Sequence, residues 1–263
     1  MSGDSFHVRH QATPQYIATV LRGLSAGYDS PESLASYVRS NEHRPDLLDE
    51  QVTRLRRLGL ILPPRLALSE MGHRCARIMQ EQPSVLFEIL HFLHYTLWDK
   101  RIPERNRLSW TYKAVCDELW SRNECIVDSR YLLDRLMMQL MAEFPAEPDF
   151  SVSVNTVRGV LSWLEVLEPP VIRDRRFSRR PFAAPELLML LLDNLYSQLG
   201  LGYGELLMLD DDKAKRLAQA CLVDIDALND ILLESRNRFS WFELHDGWGF
   251  SVRLREQPLF GDV

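Results

Sequence analysis

The chain has 263 residues, 46% of them hydrophobic and 26% charged, and a formal net charge of −6. That balance excludes a disordered, collagenous or coiled-coil chain and predicts a folded protein of two or three small domains. No apolar run approaches the ~18 residues of a membrane span, and residues 1–15 lack a signal-peptide core, so a cytoplasmic location without membrane contact is expected.

Residues 1–13 are polar and read as a flexible tail. Pro14 opens a helix whose Tyr16, Ile17, Val20, Leu21 and Leu24 share one face up to Gly27. Ser30-Pro31-Glu32 starts a second helix, with serine as cap and proline in the first turn. A third runs from near Pro45 to Gly59 with Leu48, Val52 and Leu55 inward. Two short extended pieces follow, Leu60–Leu62 and Leu66–Leu68, around Pro63-Pro64. Ser69 caps a fourth helix that ends near Gln80.

The sentence RLRRLGLILPPRLALSEMGHRCARIM (54–79) closes this segment. Over residues 14–80 the pattern resembles the winged helix-turn-helix superfamily. There the third helix runs into G-L-[IV], a two-stranded wing and then L-[ST]-x-x-G. The resemblance implies an architecture and not a particular activity.

An apolar helix is predicted from Pro83 to Trp98, then a charged connector from Asp99 to Arg107. Ser109 is read as the cap of a helix carrying Trp110, Val115, Leu119 and Trp120. Another helix spans about Val127–Phe144 until Pro145 and Pro148 break it. A helix starting at Ser153 or Asn155 carries Val157, Leu161 and Leu164 and stops at Pro169-Pro170. Residues 171–182, VIRDRRFSRRPF, read as a basic extended arm. The last third repeats the theme. It has helices over Pro185–Leu199 and Asp210–Cys221, and one opened by Asp224 or Asp226. Strands Phe239–Leu244 and Trp248–Leu254 then flank His245-Asp246-Gly247, a hairpin signal. The expected fold is mainly α with small β-hairpins. It consists of tandem winged-helix-like units packed as one body, over residues 14–82, 83–182 and 183–263.

Charge is unevenly spread. Residues 1–180 hold 24 basic and 23 acidic side chains, and residues 181–263 hold 7 and 14. Arginine outnumbers lysine 27 to 4. Guanidinium is the better fork for phosphate and carboxylate, although a GC-rich genome gives the same bias. The helix-turn-helix resemblance places the second helix of each motif in a major groove. In the first unit that helix offers Arg54 and Arg57, with Glu50 placed to pair with Arg54 on a solvated face. In the second unit it offers Asn155, Thr156, Arg158 and Ser162, side-chain types that read base edges and phosphates. Arg173, Arg175, Arg176, Arg179 and Arg180 follow, with only Asp174 opposed. They would draw phosphate, or pair with the acidic last third of the chain, or meet an acidic protein partner. Asp224, Asp226, Asp230 and Glu234 in the third unit repel phosphate and suit a protein partner.

Signals for catalysis are sparse. Glu88, His91 and His94 lie three apart, half of a di-iron pattern whose other half is missing, and read as the polar edges of a buried helix. His73 and Cys75 are too close in sequence to act as base and nucleophile. Gly200-x-Gly202-x-Gly204 follows a helix and reads as its stop. The aromatic group Trp98, Trp110, Tyr112 and Trp120 reads as core. The four cysteines (Cys75, Cys116, Cys125 and Cys221) form no C-x-x-C pair. No enzyme activity, cofactor or metal is therefore expected. The expectation is a DNA-binding adaptor, contacting double-stranded DNA through the middle unit and a protein partner of a larger complex through the acidic unit. Self-association as a homodimer is compatible with it. Its organisation resembles regulators and subunits of bacterial DNA-handling or phage-defence (antiviral) machines. The alternative is a protein-only scaffold, resembling the winged-helix subunits that bind kleisins in SMC-type complexes.

Overall fold

The computed structural model describes residues 13–98, 107–145, 151–247 and 249–258. The predicted tail up to residue 12, most of the 99–107 connector and Pro148 lie outside them, and Thr13, read as the end of the tail, is the cap of the first helix. The first helices begin where the chain supplies caps. Thr13 accepts the Tyr16 N–H at the start of α1 (Pro14–Ser25). Ser30 and Ser33 form a reciprocal capping pair at α2 (Pro31–Ser40). A 3-10 turn at Pro45–Leu47 leads into α3 (Leu48–Arg57). Strands β1 (Ile61–Leu62) and β2 (Ala67–Leu68) pair antiparallel, and α4 (Glu70–Glu81) follows.

The junction of β2 and α4 gives the L-[ST]-x-x-G sentence a physical reason. Ser69 Oγ donates to the Gly59 carbonyl and accepts the Gly72 N–H. That draws the first turn of α4 onto the backbone of Leu60. A Cβ at Gly72 would stand 2.1 Å from the Leu60 carbonyl oxygen. Gly72→Ala should therefore destabilise the protein by about 1–3 kcal/mol despite alanine's better helix propensity. Urea denaturation of the pair tests this, and an unchanged or raised midpoint would refute it.

Helix α5 (Pro83–Thr96) packs against α4, α6 (Arg107–Ser121) and α9 (Pro185–Leu199). Gln82 is at once the C-cap of α4 and the N-cap of α5, the single residue between the two helices. After α6 come β3 (Glu124–Ile126), α7 (Ser129–Glu143), α8 (Val154–Leu164), β4 (Ile172–Arg173) and β5 (Arg176–Ser178). After α9 come β6 (Leu207–Met208), α10 (Asp211–Cys221), α11 (Ile225–Arg238), β7 (Phe242–Gly247) and β8 (Gly249–Leu254). Both segments run helix, strand, helix, helix, strand, strand. In both, the first strand pairs with the last, giving orders β3-β5-β4 and β6-β8-β7. The fold is mainly helical with small antiparallel sheets. Among the described residues no helix is long and apolar enough to cross a membrane.

The structure corrects the reading of the chain in four places. Helix α6 already begins at Arg107, so Ser109 lies inside it and does not cap it; its buried hydroxyl donates to the His94 carbonyl of α5. Residues 171–182 are not an extended arm, because β4 and β5 form a tight hairpin within them. The short strands β3 and β6 were not expected; two or three residues show too little alternation to register as a strand. At the C-terminus β7 runs through Asp246 to Gly247, which pairs with Gly249, so His245-Asp246-Gly247 belongs to the strand and not to the connection between strands. The partners Phe242↔Leu254 and Leu244↔Val252, all inward, fix that register. The aromatic group behaves as expected. Trp110, Tyr112 and Trp120 are buried, and Trp98 meets Phe144 edge-on. Gly200 ends α9 in the left-handed conformation, as a helix stop requires.

Candidate nucleic-acid interface

Helix α8 starts at Ser153, whose hydroxyl accepts the Thr156 N–H. Its Val157, Val160, Leu161 and Leu164 are buried against α6 and α7. On the outer strip Asn155 and Arg158 are exposed in the first turns. Thr156 is fully buried and lies 3.0 Å from Ser153 Oγ, so it belongs to the cap and not to a reading face. Ser162 is half-buried and donates to the Gly159 carbonyl.

The five arginines of residues 173–180 divide into two groups. Asp174 and Arg175 both hold positive φ, 48° and 59°, which makes a two-residue turn between β4 and β5. Arg173 and Arg176 face each other across that turn, and Arg173, Arg175 and Arg176 are exposed. Arg176 meets Glu124 of β3 at 3.0 Å, with both side chains well exposed. Arg158, Arg173 and Arg175 have no salt-bridge partner among the described residues. Asp128 caps α7 through the N–H groups of Arg130 and Tyr131. Those two hydrogen bonds, with the nearby charges of Arg130 and Arg175, hold its carboxyl below the ordinary range.

Arg179 and Arg180 are used inside the molecule. Arg179 lies 4.0 Å over the Trp120 ring, donates twice to the Trp120 carbonyl and reaches Asp224 at 3.3 Å. Arg180 is fully buried. Its guanidinium grips Glu88 of α5 at 2.5 and 2.8 Å and donates to the carbonyls of Cys221 and Glu168. Its backbone N–H donates to Leu222, and Trp120 Nε1 donates to Val223. The predicted phosphate contacts at Arg179 and Arg180 are therefore corrected: internal pairing takes both. Arg180 pairs with a carboxylate of the middle segment, and only carbonyls of the acidic third reach it.

Arg54 is corrected in the same way. It is buried and lies 5.5 Å over the ring of Trp163 from α8. Burial pushes its guanidinium down to about 10, with Arg57 adding to the effect. The solvated-face reading of α3 fails there because α8 covers that face. Arg57, at the end of α3, is exposed.

Glu88, His91 and His94 are all buried. His91 Nε2 lies 2.7 Å from the Ala220 carbonyl, which can only accept, so Nε2 carries the proton. Nδ1 then accepts from the Tyr112 hydroxyl at 2.8 Å. Both nitrogens are used by the neutral ring, and burial pushes its pKa down to about 4. His94 stacks on Tyr112 and meets Trp163 edge-on. Among the described residues no group of three or more His, Cys, Asp or Glu side chains could hold a metal ion. The buried-helix reading of these three residues agrees with their burial, but the sequence did not show the partners that make them a polar seam joining α5, α6, α8 and the Arg180 segment. Its one advance signal was an acid and two histidines inside an otherwise apolar helix. Comparison of the chain with family models, curated proteins and solved structures gave no match.

Proposed function

We propose that the protein is a non-enzymatic adaptor of tandem winged-helix-like units that binds duplex DNA through α8 and the β4–β5 turn. One observation carries the reading: Asn155 and Arg158 are exposed at the start of α8, and the Arg173, Arg175 and Arg176 forks stand on the hairpin that follows. In a helix-turn-helix the first turns of the second helix meet base edges, and flanking arginines neutralise phosphates. The acidic outer face of α11, with Asp226, Asp230 and Glu234 exposed, is assigned to a protein partner, in keeping with a subunit of a bacterial DNA-handling or phage-defence complex.

Fluorescence anisotropy of a labelled duplex across a salt series tests the reading. Wild type should bind with a steep salt dependence. Replacing Arg173, Arg175 and Arg176 with glutamate should remove binding at moderate salt and flatten the log–log slope by about 3. Unchanged affinity at low salt would overturn it. A protein-only scaffold is the second reading. It is favoured by the burial of Arg54 and Arg180, which takes two of the candidate arginines out of any phosphate-facing role and leaves α3 only Arg57. A stable partner from the native host, together with no DNA affinity at low salt, would select it.

A further inference from the structure

Helix α7 is amphipathic in an unusual way. Leu132, Leu136 and Leu140 are buried on one face. The opposite strip is not simply polar: Tyr131, Asp134, Arg135, Met138 and Met141 recur there at spacings of three and four and are all exposed. Met138 is 54% exposed and Met141 69%. Just ahead of the helix, Ile126 on the edge strand β3 is 66% exposed. Arg122 lies 4.2 Å over the Tyr131 ring, so the open apolar area is that of Met138, Met141 and Ile126, set around the charged pair Asp134–Arg135.

We infer that this strip is the contact between two copies of the chain, packed through α7 about a two-fold axis. The argument is its charge order. A two-fold contact uses the same patch twice, so the patch must complement itself. With antiparallel helices and the axis passing between positions 134 and 135, Asp134 faces the second copy's Arg135, and Arg135 faces its Asp134. The same register sets Tyr131 against the second copy's Met138. It brings Met141 toward the second copy's Ile126. Arg135 can serve both neighbours: its Nε meets Glu118 at 3.3 Å, and its side chain remains 44% exposed. A guanidinium has donors left for a second carboxylate. A basic or an acidic partner would satisfy only one member of the Asp134–Arg135 pair, whereas a second copy satisfies both. The acidic α11 does not enter this contact, and of the residues assigned to DNA only Arg176, the cross-strand partner of Ile126, borders it. A one-helix interface is small, so association in the micromolar range is expected.

Sedimentation velocity from about 1 to about 100 μM, without DNA, tests the inference; that range brackets the micromolar midpoint expected of a small interface. The expected result is a monomer–dimer equilibrium that Met138→Glu weakens at least ~10-fold, the step that 1.4 kcal/mol represents. Because Met138 is exposed, the variant should keep the wild-type melting temperature at concentrations below the dimerisation midpoint, where both are monomers. In a Cys125→Ser background, Asp134→Cys should form an inter-chain disulfide on mild oxidation, since the axis passes beside it. A wild type that stays monomeric throughout would overturn the inference. So would a dimer that resists Met138→Glu or fails to cross-link at position 134. None of these outcomes bears on DNA affinity, so the two proposals fail separately.

Discussion

Arg180→Met is expected to cost about 3–5 kcal/mol of folding stability, the range for breaking a buried ion pair from one side. The Glu88 carboxylate would be left charged and dry, and the Cys221 and Glu168 carbonyls would lose a donor. Glu88→Leu alone should cost a similar amount, because it strands the guanidinium. The double replacement should recover much of the loss, since it removes both charges together. Urea denaturation of the four proteins closes the cycle. A single-variant cost below about 1 kcal/mol would show that the pair contributes little. Arg176→Met, by contrast, should be nearly neutral for folding, because its partner Glu124 is exposed.

Acid should weaken the protein through His91 before the carboxylates dominate. The unfolded imidazole titrates near 6.5, and burial lowers the folded value to about 4. Between those values the unfolded chain binds the proton and the native one refuses it. Stability is therefore fully present above pH 6.5 and falls as the pH drops toward 4. The loss levels off below that, at on the order of 3 kcal/mol for this group. His94, held well below its ordinary value by burial and by Arg54, adds a loss of the same sign. The geometry explains why the cost cannot be avoided: an imidazolium would present an N–H to Tyr112, which must then turn its own hydroxyl proton away. His91→Met should lower stability at pH 7.5 and flatten the decline between pH 6.5 and 4. The difference between the two pH profiles is the readout, which removes the carboxylates common to both. Parallel profiles would refute the assignment.

Much of the helical plan was legible in the chain because many of its helices advertise their start with a capping side chain, although α3, α5, α9 and α11 begin without one. Thr13, Ser30, Ser69, Asp128, Ser153 and Asp210 all cap as their side chains allow. The candidate interface was legible only in part, for a physical reason. In a run of arginines each residue looks like its neighbours. What separates Arg180 from Arg175 is Glu88, 92 positions away, and no local pattern encodes that pairing. Arg54 gave a similar signal, since its spacing from Glu50 and Arg57 is that of a solvated face. Trp163 of another segment covers it instead. The β4–β5 turn was hidden because two non-glycine residues hold the left-handed conformation where glycine or asparagine would have announced it.

The sharing of Gln82 between α4 and α5 has a mechanical consequence. No spare residue exists there to act as a hinge. The link on the other side, from β5 to α9, is fastened at Arg179, Arg180 and Ala183. Swinging one segment against the next would require breaking the core. The face of α8 and the face of α11 are thus held at one offset, like the jaws of a fixed gauge. On the proposed reading, the DNA and the protein partner would be held at a spacing set by the core and not by a flexible tether.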